Sequence, residues 1–120
     1  YYALLKAKDI QFGAVQNKAG KFIRADLGSV SKAAENSLKD VPDDLRFSLT
    51  NADGADSYPI SGTTWAVLYI DQHGETGKDL VDFLIWATHD GQRYNERMHY
   101  AKLPEGLVKR IDDKFKKFKK

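Results

Sequence analysis

The sequence predicts an α/β domain, a mixed sheet flanked by helices, and three features carry that prediction. Residues 63–70 are dominated by β-branched and aromatic types, and Trp65, Ala66, Val67, Leu68 and Tyr69 leave neither face polar. A strand of that kind suits a sheet covered on both sides. Two later segments carry apolar residues at helical spacing. One includes Leu80, Val81, Leu84 and Ile85, and the other Leu107, Val108, Ile111, Phe115 and Phe118. Near the start, Ile10, Phe12, Ala14 and Gln16 alternate with other residues, the two-residue period of a half-buried strand.

Taken in order, residues 1–8 read as the last turns of a helix, with no Ser, Thr, Asp or Asn before them to cap it. There is no initiator methionine and no basic-then-apolar targeting segment, so a fragment or a processed half is expected. Residues 9–16 follow as a strand. Asn17-Lys18-Ala19-Gly20 supplies a turn, and Phe22-Ile23 returns as a short second strand. A helix is expected over residues 26–38, where Leu27, Val30, Ala33, Ala34 and Leu38 recur every three or four positions and Asp26 or Ser29 caps the start.

Pro42 and two aspartates break the pattern at residues 39–44. Leu45, Phe47 and Leu49 then alternate with polar residues as a brief extended segment, and residues 51–57 form a loop too polar to be buried. Pro59 has no amide to give a ladder and biases Tyr58 toward an extended conformation leading into the 63–70 strand. After a loop at 71–76 the longest helix begins at about Lys78. It runs toward Tyr94 and Met98, with a kink or break at Gly91. Leu103-Pro104 starts the last helix, since proline is tolerated in a first turn.

A chain of 120 residues is one domain by length, with 42% apolar and 30% charged residues. No apolar run reaches the ~18 residues of a membrane span. The absence of cysteine excludes disulfides, thiolate metal sites and thiol nucleophiles. Net charge is +2, but residues 110–120 hold six basic and two acidic residues. Such a tail can bind nucleic acid or an anionic membrane surface by counterion release. It also alternates with apolar residues needing burial, as a solvated helix face does. Nucleic acid is not expected, because the six Phe, six Tyr and two Trp fall in core stripes instead of interleaving with lysines.

Few residues suggest chemistry. His73 lies in a loop, and His89 and His99 are ten positions apart around Gly91, which does not put them on one helical face. They read as surface or helix-end histidines, and no metal site is expected. Asp79 and Asp82 share a face near a helix start, where they complement the dipole. No Gly-x-Ser-x-Gly elbow or phosphate-cradling glycine loop is present. Ser61-Gly62-Thr63-Thr64 has the hydroxyls and amides to meet an anion, but its place entering a strand favours a structural turn. No catalytic residue emerges and the chain is not expected to be an enzyme.

Several short patterns recur in one order. They are the helix end and strand of residues 1–16, the turn and alanine-containing helix of 18–37, and Leu49-Thr50-Asn51 with Gly54. Tyr58-Pro59-Ile60, Thr64-Trp65, Asp82-Phe83-Leu84 with Trp86-Ala87, Gly91-Gln92, Tyr100-Ala101 and Leu103-Pro104 follow. In that order and spacing the chain resembles the C-terminal part of periplasmic phosphate-binding proteins of the PstS type. The resemblance implies a two-lobed periplasmic-binding fold that closes over one phosphate, and it implies that this chain is incomplete on its own. Residues 1–57 would belong to one lobe. Residues 58–120 would supply the hinge crossing and the closing strand and helices of the other.

Tyr58, Ser61, Gly62 and Thr63 are the cleft or hinge candidates. The family's phosphate contacts come from hydroxyls, an arginine, an aspartate and helix N-terminal amides earlier in the chain, so no ligand residue is carried over here. The implied role is a segment delivering inorganic phosphate to the membrane subunits of an ABC importer from the periplasm, without a cofactor. Its implied partner is the missing N-terminal portion or a swapped copy of itself. Alternatives are an interaction or scaffold module derived from that fold, and a basic-tail binder of nucleic acid or membrane surface.

Overall fold

The computed structural model describes residues 10–72 and 74–119. In chain order these hold strands β1 (Val15–Gln16) and β2 (Phe22–Ile23) and helices α1 (Leu27–Ser37), α2 (Gly74–Thr88) and α3 (Glu105–Phe115). Short 3-10 turns occupy Leu38–Asp40, Asp90–Tyr94 and Glu96–Met98. The helix end expected over residues 1–8, together with Asp9 and His73, lies outside the described residues.

The expected hairpin forms, with Val15 opposite Ile23 and Gln16 opposite Phe22. Gly20 takes φ +76°, the left-handed region that glycine enters without steric cost. Within the anticipated 9–16 strand the hairpin ladder takes in Val15 and Gln16, and β2 gives way after two residues to the approach to α1. At the start of α1 the two candidate caps prove to be one device. The Asp26 carboxylate accepts from the Ser29 amide at 2.6 Å, and the Ser29 hydroxyl accepts from the Asp26 amide at 3.1 Å. That reciprocal cap satisfies two backbone donors at once. The buried face of α1 is Ser29, Ala33, Ala34 and Ser37, small residues that let other backbone approach closely.

Helix α2 begins at Gly74, about one turn before the expected start at Lys78. Glu75 is the acid in its first turn, so Asp79 and Asp82 sit further along than anticipated. Gly77 lies against Gln72, where a Cβ would come within 2.9 Å of the glutamine Cβ. The helix stops at Thr88, whose hydroxyl donates back to the Leu84 carbonyl at 2.9 Å, and His89 at φ −119°, ψ −98° breaks it. The expected interruption at Gly91 therefore falls two residues earlier. Gly91 serves packing instead: it is buried, and a Cβ there would lie 3.0 Å from the Trp86 carbonyl oxygen. Beyond the break the chain continues through 3-10 turns, not α-helix, to Met98. Pro104 caps α3, whose Leu107 is buried.

The expected strand over 63–70 is where the structure departs most from expectation. These residues join no ladder among the described residues, and Val67 and Tyr69 are 95% and 86% exposed. A single parallel bridge, Asp71 to Lys119, marks their far end. Their composition is that of a buried strand, but among the described residues no strand is paired with them. Residues 45–49 likewise form no strand. Leu45 adopts φ +61°, and its carbonyl accepts from the Trp65 indole at 3.0 Å. The α/β character stands, while the mixed sheet is reduced among the described residues to one hairpin and one bridge.

The core is correspondingly shallow. Among the described residues its buried apolar side chains are Ala33, Ala34, Val41, Leu49, Ala52, Val81 and Leu107, three of them alanine. The radius of gyration of 16.1 Å exceeds the roughly 13.6 Å typical of a compact 120-residue domain. Its shortest extent is 18 Å, little more than one packed layer.

With α1 held by its reciprocal cap, Asp26→Ala is expected to cost about 1 kcal/mol. Urea denaturation followed by circular dichroism checks this, and an unchanged midpoint would remove the cap from the account. Ser29→Ala in the same background should add less than it costs alone, because the two side chains act as one unit.

Candidate functional site

The best-defined polar cluster gathers around the loop that carries Tyr58 and Ser61, and its organiser is Asn17. This residue directly follows β1 and is buried. Its side-chain oxygen accepts from the Ala19 amide at 3.1 Å and the Lys21 amide at 3.0 Å, which closes the hairpin turn. Its side-chain nitrogen donates across the chain to the carbonyls of Gly54 at 3.3 Å, Ala55 at 2.8 Å and Ser57 at 3.1 Å. An amide NH₂ has two hydrogens, so one of these three bonds is shared.

From the other side, α1 meets the same loop. The Asn36 side chain donates to the Ser57 hydroxyl at 3.0 Å, and that hydroxyl donates to the Asp53 carbonyl at 2.6 Å. The Tyr58 amide donates to the Ser29 carbonyl at 3.1 Å. The loop was expected to be too polar for burial, yet Ser57 is wholly buried and Ala52 and Pro59 are buried beside it. Burial is tolerable because the polar groups are paired: among the described residues, no buried side-chain nitrogen or oxygen lacks a partner. Gly54 at φ +104° makes the close approach possible, since a Cβ there would overlap the Asn36 side chain.

The outer rim is held by charge. Asp53 bridges Lys18 on the hairpin turn and Lys39 past the end of α1, both at 2.6 Å. Hydrogen bonds from the two ammonium groups, reinforced by their charge, lower the Asp53 carboxyl to about 2.

Of the cleft or hinge candidates, the structure brings two together. The Ser61 hydroxyl is buried and donates to the Tyr58 carbonyl at 2.8 Å, and the Asn51 amide donates to the Pro59 carbonyl at 2.8 Å across the same turn. Gly62 stands in open space, with nothing within 4 Å of where a Cβ would be. The Thr63 hydroxyl points to the neighbouring Thr64 carbonyl at 3.4 Å. The hydroxyls of Ser61 and Thr63 are thus engaged by backbone and do not converge as an anion cradle. Asn17 and Asn36 were missed by sequence reasoning. An asparagine before Lys-Ala-Gly signals a turn, but nothing local signals its second set of partners.

His89 reads as expected for a helix-end histidine. Its Nδ1 lies 2.9 Å from the Ile85 carbonyl oxygen, and its Nε2 lies 3.2 Å from an Asp112 carboxylate oxygen on α3. No group of three or more potential metal ligands exists among the described residues. Beside the loop runs a groove of about 1130 Å³, walled by Phe47, Trp65, Leu68, Leu107, Ile111 and Phe115. Trp65 meets Phe47 edge-on at a centroid distance of 6.2 Å.

Asn17→Ala leaves three carbonyls and two amides without their partner, and a loss of about 1–3 kcal/mol in a urea titration is expected, with Ser61→Ala costing less. Asp53 makes a separate prediction. Its folded pKa is depressed, so its contribution is present above the unfolded value of about 3.9 and is lost as pH falls from there through about 2. A carbon-detected NMR titration should place its midpoint near 2, and Lys18→Met with Lys39→Met should return it to the ordinary carboxylate range.

No family model matches the chain. Over 116 residues, 96% of its length, it is 28% identical to the phosphate-binding protein PstS of Pasteurella multocida, of which it spans 34%. It is 31% identical over 105 residues, 86% of its length, to the phosphate-binding protein PstS of Xylella fastidiosa strain Temecula1, of which it spans 29%. To the phosphate-binding protein PstS of Methanocaldococcus jannaschii it is 30% identical over 109 residues, which are 80% of the chain and 28% of that relative. The chain spans about a third of the length of the curated relatives it matches. Along nearly its whole length the chain is therefore similar to one third of phosphate-binding proteins of the PstS type, consistent with their C-terminal portion.

Proposed function

We propose that this chain is a segment of a phosphate-binding protein that carries inorganic phosphate to an ABC importer, contributing scaffold and hinge to a site completed by other residues. The observation that carries this reading is similarity to phosphate-binding proteins PstS over 96% of the chain. The role is that of a carrier: no bond is made or broken, and the partners are the remaining polypeptide, phosphate and the importer's membrane subunits. The place of action is the periplasm or its extracytoplasmic equivalent. No described helix is long and apolar enough to cross a membrane, which fits a partner delivered to the importer from outside the bilayer.

The physical features fit such a segment. The loop from Asn51 to Ser61 is held by Asn17, Asn36 and Asp53, while Gly62 immediately beyond it has open space where a side chain would be. An anchored loop followed by an exposed glycine suits a crossing between two lobes, where a few positions absorb the change in dihedral angle on closure. On this reading residues up to 57 belong to one lobe and residues from 58 onward cross to the other. The basic-tail alternative loses ground, because Arg110 donates to the carbonyls of Val41 and Leu38 and Lys116 pairs with Asp113.

The test mixes this chain with a polypeptide comprising the part of the Pasteurella multocida relative that it does not match. Phosphate at 100 times its dissociation constant should stabilise the mixture by about 2.7 kcal/mol in thermal unfolding, and should leave either polypeptide alone unaffected. A mixture indifferent to phosphate would sink the proposal.

A further inference from the structure

His89 ends α2 and stands where that helix meets α3. Its Nδ1 lies 2.9 Å from the Ile85 carbonyl oxygen, and its Nε2 lies 3.2 Å from an Asp112 carboxylate oxygen. A carbonyl and a carboxylate only accept hydrogen bonds, so each ring nitrogen needs a proton to meet its partner. Nδ1 also lies 3.2 Å from the Thr88 hydroxyl oxygen, whose one proton is directed to the Leu84 and Ile85 carbonyls, 2.9 and 3.1 Å away. A neutral imidazole has a single N–H and turns a lone pair toward either Ile85 or Asp112. The imidazolium satisfies both. Position adds a second reason. His89 directly follows the last residue of α2, where positive charge meets the negative end of the helix dipole. Asp112 lies in the last turn of α3, where a carboxylate is disfavoured without a cation beside it. Other charged groups at this junction are Asp90, next along the chain, and Lys116, one turn beyond Asp112 and paired with Asp113 at 2.7 Å.

We propose that His89 and Asp112 form a proton-dependent latch between α2 and α3, closed when the imidazole is charged and open when it is neutral. An unfolded histidine holds its second proton below about pH 6.5. The latch therefore contributes fully below that pH, and its contribution is lost as pH rises beyond it. Both helices line the apolar groove, Leu84 and Thr88 from α2 and Leu107 and Ile111 from α3. Acid fastens these walls to each other, and alkali releases them. The latch acts within this chain and needs neither phosphate nor a second polypeptide.

Urea unfolding of the wild-type chain and of Asp112→Asn, at about pH 5.5 and about pH 8.5, tests the latch on either side of the histidine range. Carboxylates are ionised at both values, so histidine is the group that changes. The ratio of unfolding constants, variant over wild type, should be about two- to fivefold larger at the lower pH, the range of a partly exposed ion pair. In a His89→Gln background that pH dependence should vanish, because glutamine does not titrate, whereas in His99→Gln it should persist. A ratio equal at both pH values would overturn the latch. So would a pH-dependent ratio that survives His89→Gln, since Asp112 would then answer to another group. Asparagine is nearly isosteric with aspartate, and Asp112 is partly exposed, so the variant keeps its fold. Amide hydrogen exchange at Thr88 and Ile111, corrected for the intrinsic effect of pH, reads the same comparison locally if unfolding is not cooperative. Exchange should then be slower in wild type than in Asp112→Asn at the lower pH and alike at the higher, and no difference at the lower pH would overturn the latch.

Discussion

A buried carboxamide ties the hairpin turn to the loop that α1 also meets. Asn17 closes the hairpin turn with its oxygen and reaches with its nitrogen to three carbonyls of a loop about forty residues away. An aspartate here would keep the acceptor and lose the donor, and an apolar residue would lose both. Around that contact the rest of the first half is arranged. Helix α1 brings Asn36 and the Ser29 carbonyl to the same loop, and Gly54 lets the backbones meet. Polar pairing does here what apolar packing does in most small domains, and the alanine and serine faces of α1 are the price of that closeness.

The second half is organised differently. Helices α2 and α3 are joined by His89 and Asp112, and α3 returns to the first half through Arg110 and through Gly106, which lies so near Leu38 that a Cβ would come within 2.8 Å of it. These are contacts at edges. Leu80, Phe83, Trp86, Val67 and Tyr69 remain exposed, and among the described residues only Val81 and Leu107 are buried apolar side chains of this half. A shallow core of this kind and a groove walled by aromatic rings are one observation seen from two sides.

What could be read from residues alone follows from how local each signal is. The hairpin turn, the cap of α1 and the existence of α3 are written in neighbours a few positions apart, and the structure shows all three, although α3 ends before Phe118 and buries only Leu107 of its stripe. Residues 63–70 have the composition of a strand, but pairing needs a partner, and composition does not supply one. The helix start at Gly74 was misplaced because Gly-Glu-Thr-Gly reads as loop chemistry, whereas the close packing of Gly77 on Gln72 decides the matter. At the candidate site Tyr58 and Ser61 are joined by a hydrogen bond, while Gly62 and Thr63 stand apart from them. The role of Asn17 was illegible for a different reason: its distant partners are backbone carbonyls, which every residue possesses.

The Arg110 contacts to Leu38 and Val41 have a consequence for the order in which the molecule is assembled. The Asn17 clasp needs nothing beyond residue 61, so it can close on a growing chain before α2 or α3 has been synthesised. Arg110 closes a span of about seventy residues, and loop-closure entropy grows only with the logarithm of length, so it costs less than about 0.6 kcal/mol more than the clasp. The difference between the two contacts is therefore one of timing more than of energy. The first half is a platform present early, and α3 is the late arrival that docks onto a surface already formed.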